Sequence, residues 1–269
     1  MPVDHYENFP VASWLLPRRL REPVSAIYAF ARSADDIADE GDVDADTRLS
    51  RLAEYRNELA KITAGLPTQH PIFQRLSAAI AKHDLPLSPF SALLDAFSQD
   101  VVQHRYADFA ELIAYCRRSA DPVGRLLLRL FRAESEAQLV WSDAICSSLQ
   151  LINHWQDVAI DAARGRIYLP QEDLDRFSVS EAQIFAGIAD DHWQDLLAFE
   201  VERARAMMHS GAPLGRTLPG RIGLELRLIV EGGLRILEKI EAVDYDVFRL
   251  RPQLKPLDWP LLLGRALVS

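Results

Sequence analysis

Three side chains with oxygen ligands recur at every fourth position near the middle of the chain: Asn153, Asp157 and Asp161. Because an α-helix turns once in about 3.6 residues, this spacing puts all three on one helical face. The residues beside that face are largely apolar, namely Leu151, Ile152, Trp155, Val158 and Ile160. An unpaired carboxylate among apolar side chains is costly, so the pattern predicts a bound cation.

A second acidic cluster, Asp35, Asp36 and Asp39, has the same four-residue step and ends the apolar helical run from Leu20 to Asp39. Carboxylates at a helix C-terminus oppose the helix dipole and need compensation. Two facing carboxylate clusters would hold Mg²⁺, which prefers oxygen ligands and completes its shell with water and phosphate. The pattern therefore favours a diphosphate site, with a solvated acidic helix end as the alternative.

Cations and aromatic rings accompany both clusters. Arg32, Arg164 and Arg166 would reach phosphate oxygens, or else lie solvated at helix ends. Several aromatic side chains would line a pocket and steady a carbocation through their π-faces, or else belong to an ordinary core. These are Tyr28, Tyr106, Tyr115 and Trp155.

The sequence does not favour other kinds of catalytic or binding site. The sequence has no Gly-rich phosphate loop, nucleophile elbow, dinucleotide fingerprint or histidine pair at metal spacing. The run of acids from Asp42 departs from a calcium-binding loop, with Thr47 at the glycine position and Ala53 at the final ligand position. A net charge of −9 argues against nonspecific nucleic-acid binding.

The remaining sequence predicts one all-α domain over residues 1–269. Helical periodicity recurs along the chain, with Pro and Gly breaks and few alternating segments, and the longest predicted helix runs from Glu134 to Ala163. Cys116 and Cys146 are expected to be reduced, which fits a cytoplasmic protein. The apolar tail from Trp259 to Val268 is too short to span a membrane, and is expected to complete the core or to touch a bilayer surface.

Both acidic clusters resemble the aspartate-rich signatures of the squalene and phytoene synthase family. From here they are called the first motif (Asp35, Asp36, Asp39) and the second motif (Asn153, Asp157, Asp161). The resemblance continues through Arg105-Tyr106, Tyr115-Cys116 and Pro122-Val-Gly124. It implies the all-α isoprenoid synthase fold, Mg²⁺, and a prenyl diphosphate in a central cavity between the motifs.

Within the family, the opening from His5 to Ser13 and the stretch from Tyr28 to Asp42 most resemble the hydroxysqualene synthase branch of bacterial hopanoid biosynthesis. That branch takes presqualene diphosphate, ionises it, rearranges the cation and captures it with water. The resemblance also implies a functional link to an enzyme that supplies presqualene diphosphate.

The resemblance also assigns roles. Metal ligands would be Asp35, Asp36, Asp39, Asp157 and Asp161. Substrate would be bound by His5, Arg32, Asn153, Arg164 and Arg166. The reacting carbons would be bordered by Tyr28 and Tyr115. A separate hypothesis, which the resemblance does not supply, is that Tyr106 or Gln150 positions the capturing water.

Two departures from the family are visible. Many condensing relatives have arginine where this chain has Gln156, and relatives often carry a tyrosine near Gly233 on the last long helix. Both departures fit a branch that holds one diphosphate, and both would also fit impaired activity. Two rival functions therefore stay open: a head-to-head condensing synthase, and a non-catalytic helical assembly protein with the same fold.

Overall fold

A computed structural model describes residues 16–269, which form α-helices and one short 3₁₀ helix with no β-strand among them. The all-α prediction is confirmed. In chain order the helices are α1 Arg18–Asp39, α2 Ala45–Thr63, α3 Pro71–His83, α4 Ser88–Val102, α5 Phe109–Ser119, α6 Asp121–Phe131, α7 Glu136–Gln156, α8 Val158–Ala163, α9 Gln171–Arg176, α10 Glu181–Ala186, α11 Asp191–Gly211, α12 Leu214–Thr217, α13 Gly220–Glu241 and α14 Trp259–Val268.

Polar caps and prolines set the helix starts. The Asp44 and Asp108 carboxylates accept from the backbone N–H of Thr47 and Glu111, both at 2.8 Å, and so begin α2 and α5. These bonds satisfy N–H groups that have no partner within the helix. Asp44, one of the acids that resembled a calcium loop, is thus a helix cap.

Two hydrophobic cores fill the part of the molecule formed by residues 16–269. The first is built from α1 to α4 with Leu126 and Leu130 of α6, and the second from α5, α7, α11 and α13 with the connecting segments. Phe131 packs against both. The first motif ends a helix of the first core, and the second motif ends a helix of the second.

The predicted helix from Glu134 to Ala163 is wrong as one element, because it is divided at Asp157. There the backbone leaves helical geometry, with φ −107° and ψ 14°, and α7 gives way to the six-residue α8. The Asp157 N–H still bonds the carbonyl of Asn153 at 2.9 Å, so the interruption is confined to one residue. The second motif therefore lies at a helix junction.

The glycines of α13 permit close packing. A Cβ on Gly233 would lie 2.8 Å from Met208 Cε and 3.2 Å from Leu149 Cδ2. Such distances leave no room for a methyl group without movement of the neighbours. Close packing against Met208 and Leu149 therefore explains this glycine.

Candidate active site

The last turns of α1 carry the first motif together with Arg32. The Arg32 guanidinium lies 3.1 Å from Asp35, 2.7 Å from Asp36 and 3.0 Å from Glu40. Burial and the neighbouring Asp39 charge raise the pKa of Asp35 to about 6. Tyr28 lies one turn earlier on α1 and is half-buried. One arginine thus neutralises only part of the negative charge at this helix end.

Asp39 connects the first motif to the segment that follows the second. Arg166 donates to both Asp39 carboxylate oxygens, at 2.7 and 3.0 Å, and Arg164 donates to one of them at 3.1 Å. The Arg166 side chain is 12% exposed, whereas that of Arg164 is 54% exposed. Arg166 is therefore a largely buried partner of Asp39, and Arg164 reaches the same carboxylate from the solvent side.

Within the second motif, Asp157 is paired with an arginine that the sequence pattern did not single out. Arg251, from the segment between α13 and α14, contacts the two Asp157 oxygens at 2.5 and 3.0 Å. The preceding residue, Gln156, is buried and donates to the carbonyl of Pro252. These contacts fix the 251–252 segment over the junction of α7 and α8.

Asp161 lies one turn further along the second motif. Burial and the Asp157 charge raise its pKa to about 7. His154 Nδ1 is 4.0 Å from the Asp161 carboxylate, and burial lowers the pKa of this histidine to about 3, so its ring is neutral. The motif is less enclosed than expected, since Asn153 is exposed and Ile160 is 43% exposed.

A group of tyrosines adjoins the second motif. The ring centroids of Tyr106, Tyr115 and Tyr168 lie 5.6 to 5.9 Å apart. Tyr168 also stacks on His154 at 3.7 Å, and Gln150 contacts the same histidine at 3.2 Å. Three predicted catalytic residues, Tyr106, Tyr115 and Gln150, therefore lie around one cluster.

Asp100 of α4 lies next to two of these tyrosines and is 6% exposed. It accepts hydrogen bonds from the hydroxyls of Tyr115 at 2.9 Å and Tyr168 at 3.2 Å. Burial raises its pKa to about 7 despite these two bonds. Asp100 thus connects a helix of the first core to aromatic side chains of the second.

Two cavities adjoin Arg166. An open cavity of about 310 Å³ is lined by Ala38, Asp39, Ala45, Arg48, Asp100, Val101, His104, Arg164 and Arg166. An enclosed one of about 10 Å³ is lined by His154, Val158, Asp161, Arg166, Ile167, Tyr168 and Leu169. The larger cavity thus adjoins the first motif through Asp39, the smaller one adjoins the second motif through Asp161, and Arg166 lines both.

The structure brings together only some of the site residues that were predicted from the sequence. Asp39, Arg164 and Arg166 meet directly, whereas Trp155 is fully buried and belongs to the second core. His5 lies outside the described residues. Pattern reasoning missed Asp100, Tyr168 and Arg251. The sequence contained a hint of Asp100, because it is an acidic residue followed by apolar residues near the end of a helix. It contained none of Arg251, which lies in an irregular segment without periodicity.

A Mg²⁺ site requires several oxygen donors around one point. No three acidic, histidine or cysteine side chains within residues 16–269 converge closely enough to hold a metal as they stand. Arginines contact two of the predicted ligands, Asp39 and Asp157. Burial, and after it the charge of a neighbouring carboxylate, raises the pKa values of Asp35 and Asp161. Carboxylate oxygens are the donors that a hard divalent cation prefers.

Comparison with known proteins agrees with this arrangement. The family model described as squalene/phytoene synthase matches residues 3–258. The chain belongs to the squalene/phytoene synthase family. It is 35% identical to a hydroxysqualene synthase of Rhodopseudomonas palustris, covering 98% of this chain and 88% of that protein. It is also 31% identical to a 15-cis-phytoene synthase of Synechococcus elongatus, covering 91% of this chain and 83% of that protein.

Solved structures give the same assignment. The squalene synthase HpnC from Alicyclobacillus acidocaldarius superposes with a TM-score of 0.83 and 41% identity over 90% of each chain. Squalene/phytoene synthase family members process prenyl diphosphates, generally with a divalent metal, in isoprenoid biosynthesis. In this member, no helix of residues 16–269 combines the length and apolar character needed to cross a membrane.

Proposed function

We propose that this family member converts presqualene diphosphate and water to hydroxysqualene and diphosphate with Mg²⁺. The observation that carries the proposal is the ion pairing of Asp39 with Arg164 and Arg166, since it puts the first motif beside the segment that follows the second. A diphosphate is a multiply charged anion, and it requires cations from both sides of such a cleft.

The proposed metal ligands are Asp35, Asp39, Asp157 and Asp161, with Asp36 in the same cluster and paired to Arg32. Bound Mg²⁺ would stabilise the negative charge that develops on the diphosphate as the carbon-oxygen bond breaks. Arg32, Arg164 and Arg166 would bind the phosphate oxygens, and Asn153 extends the ligand face by one turn. His5 is proposed for substrate binding from the sequence resemblance alone.

After ionisation, the residues must hold a carbocation and admit one water molecule. Tyr106, Tyr115 and Tyr168, which pack together, would stabilise a cation through their π-faces, and Tyr28 on α1 would border the reacting carbons. Water adds its oxygen to the rearranged cation and loses a proton, so hydroxysqualene and diphosphate leave. Gln150 or Tyr106 would orient that water.

The second candidate is head-to-head condensation of two prenyl diphosphates. It is favoured by relatives such as the Synechococcus phytoene synthase at 31% identity. Against it stands Gln156, which is buried and bonded to the Pro252 carbonyl, so this position supplies no charge to a second diphosphate. We therefore favour a substrate with one diphosphate.

Product analysis separates the candidates. Purified protein is incubated with Mg²⁺ and either presqualene diphosphate or farnesyl diphosphate, without nicotinamide cofactor, and the organic extract is examined by mass spectrometry. We expect hydroxysqualene from presqualene diphosphate and no consumption of farnesyl diphosphate. Consumption of farnesyl or geranylgeranyl diphosphate alone would assign the condensing reaction.

Two variants complete that assay, one as a test of the proposed metal site and one as its control. Asp161→Asn is expected to lower turnover at least a hundredfold, because it removes a charged oxygen donor from the proposed metal site. Glu202→Gln, with a 69% exposed side chain on α11, should leave turnover unchanged. A wild-type protein that binds no Mg²⁺-diphosphate and turns over no prenyl diphosphate would support the helical assembly role.

A further inference from the structure

Arg105, which the family resemblance singled out, lies in the segment between α4 and α5 and joins two other parts of the chain. Its guanidinium donates to both carboxylate oxygens of Glu181, at 2.7 and 2.8 Å, where α10 begins. The same group donates to the carbonyl of Gly165 at 2.6 Å and to that of His104 at 2.7 Å. We call Arg105 and Glu181 the Arg105 clamp. Neither residue lines either of the two cavities described above.

The Gly165 carbonyl belongs to the turn that carries Arg164 and Arg166, and we call residues 164–166 the arginine turn. Gly165 has φ +77°, in the left-handed region that glycine adopts without a steric penalty. The Asp161 carbonyl accepts from the N–H groups of Arg164 at 3.0 Å and Arg166 at 2.9 Å. Arg105 adds a bond from a distant segment of the chain. The turn is therefore tied both to the second motif and to the Arg105 clamp.

Backbone hydrogen bonds continue this contact beyond the arginine turn. The Ile167 N–H donates to the His104 carbonyl at 3.0 Å, and the Gln171 N–H donates to the Tyr106 carbonyl at 2.9 Å. These bonds align the segment after α8 with the segment before α5 through main-chain atoms alone. Arg105 extends the alignment to the arginine turn through its side chain. A substitution at Arg105 would therefore release the turn and leave the neighbouring backbone bonds in place.

The geometry of the clamp suits positioning more than stabilisation. Two parallel bonds between a guanidinium and a carboxylate fix orientation as well as distance. The Arg105 and Glu181 side chains are 31% and 37% exposed, and an ion pair at that exposure contributes little to stability. The bond from Arg105 also lowers the pKa of Glu181, so this carboxylate stays charged. The Arg105 guanidinium is thus oriented by a charged partner while it bonds the backbone.

We propose that the Arg105 clamp positions Arg164 and Arg166 for the reaction. Both arginines reach Asp39 from the arginine turn, and their phosphate-binding role rests on the proposed function. A diphosphate between the motifs binds best to guanidinium groups that are already in place, because ordering a loose turn lowers affinity. Arg105 touches no substrate and is a positioning residue, which acts through the Gly165 carbonyl.

Titration with inorganic diphosphate in the presence of Mg²⁺ tests the proposal. Arg105→Gln should weaken this binding at least tenfold, and Glu181→Gln at least threefold. An effect of charge alone predicts otherwise, because Glu181→Gln removes a negative charge and would then tighten the binding of an anion. Since Glu181 acts through Arg105, the double variant should bind no more weakly than Arg105→Gln. Unchanged affinity in Arg105→Gln, or tighter binding by Glu181→Gln, would overturn the proposal.

The matched control is Arg125→Gln. Arg125 forms the same kind of two-bond pair with Asp143, at 2.9 and 2.6 Å, between α6 and α7. This variant should bind diphosphate within twofold of the wild type, and urea unfolding should show similar small losses of stability for Arg125→Gln and Arg105→Gln. A parallel loss of affinity in Arg125→Gln would assign the effect to the stability of the fold and contradict positioning.

Steady-state kinetics add a readout that a loss of folded protein would not change. Arg105→Gln should raise KM for presqualene diphosphate at least tenfold and leave kcat within threefold, because saturating substrate can itself order the turn. A loss of folded protein would instead lower the apparent kcat and leave KM unchanged. That result would count against a positioning role.

Hydrogen exchange separates this proposal from the proposed function, because it requires no ligand. In Arg105→Gln, amide exchange in residues 164–167 should accelerate at least tenfold, while exchange in α11 should match the wild type. Unchanged exchange in residues 164–167 would show that the clamp does not order the turn. A wild type that binds diphosphate without making hydroxysqualene would contradict the proposed function alone. If the wild type binds no diphosphate, the proposed function fails and the exchange rates still decide the role of Arg105.

Discussion

Arg166 and Asp39 form a two-bond ion pair, 2.7 and 3.0 Å long, between the segment after α8 and the C-terminal end of α1. Their side chains are only 12% and 20% exposed. Because a parallel pair of charge-assisted bonds fixes orientation as well as distance, this contact sets how the two aspartate motifs face each other.

Arg166→Gln should destabilise the protein by about 2 kcal/mol or more, because it leaves the Asp39 carboxylate largely buried with only Arg164 as its cation. Arg164→Gln should cost less than about 1 kcal/mol, since that side chain is 54% exposed. Urea unfolding of the two variants measures the difference. Equal losses would show that the pairing does not depend on burial.

Arg251→Gln should strengthen binding of Mg²⁺ to the substrate-free enzyme severalfold, because the positive charge beside Asp157 opposes a cation there. Isothermal titration with Mg²⁺ alone measures this affinity. Arg249→Gln is the control, since Arg249 is 74% exposed and pairs with Asp246 rather than with a motif residue. Weaker Mg²⁺ binding by Arg251→Gln would indicate that Arg251 organises Asp157 for the metal.

Asp100→Asn should lower turnover of presqualene diphosphate at least tenfold while leaving Mg²⁺-diphosphate binding within a factor of three. The amide cannot accept from both Tyr115 and Tyr168 as the carboxylate does, so the tyrosine rings lose their fixed positions. Steady-state kinetics and titration with diphosphate measure the two effects. Asp95→Asn, on the exposed side of α4, provides the comparison. A parallel loss of diphosphate binding would place the role of Asp100 in the anion site instead.

Because of Glu200, the stability of the fold should decrease as the pH rises. This fully buried carboxyl lies with Asp173 and Arg203, and burial raises its pKa to about 8. The folded state therefore holds a proton on Glu200 that the unfolded state releases near pH 4.5. The contribution of this group to the free energy of unfolding is complete below pH 4.5 and is lost as the pH rises toward 8.

The substitution Glu200→Gln should reduce the fall in the free energy of unfolding between pH 5 and pH 8. We expect a reduction of at least about 1.4 kcal/mol, which corresponds to a pKa difference of one between the folded and unfolded states. Urea unfolding across that range measures the change. Glu202→Gln, two residues away and 69% exposed, should keep the wild-type slope. An unchanged slope in Glu200→Gln would mean that Glu200 is ionised in the folded protein.

Gly211→Ala should destabilise the protein by about 1–3 kcal/mol, because the new Cβ would lie 2.5 Å from the carbonyl oxygen of Trp141 where α11 packs on α7. Gly264→Ala is the control, since no atom lies within 4 Å of its Cβ position and alanine favours helix. Thermal unfolding should show opposite shifts for the two variants, and a neutral Gly211→Ala would contradict the close contact.

Local spacing was sufficient to predict most of the helices and to locate the two aspartate motifs along the chain, whereas the metal-binding role of the motifs stays a prediction. The four-residue step of Asp35 and Asp39, and of Asp157 and Asp161, requires no knowledge of the rest of the chain. The Asp108 cap was also predictable from its position before an apolar run. The family resemblance added the prenyl diphosphate chemistry that spacing alone left open.

Other features depend on contacts between distant segments. Arg251 reaches Asp157 across 94 positions, and Asp100 meets Tyr168 across 68, so no local pattern reveals either pair. The break at Asp157 was also missed, because the apolar periodicity continues through it. Periodicity also missed the exposure of Ile160, which was expected to lie among apolar residues.

The division of the molecule into two cores has a consequence for how the enzyme can evolve. The carboxylates of the first motif belong to α1 in the first core, whereas Tyr106 and Tyr115 belong to the second. Under the proposed function, a substitution within the second core would reshape the surface that meets the hydrocarbon without moving α1. Because the second motif ends α7 in that same core, such a substitution would also shift half of the proposed metal site, so a lineage that exchanges its product in this way inherits only the first motif unaltered.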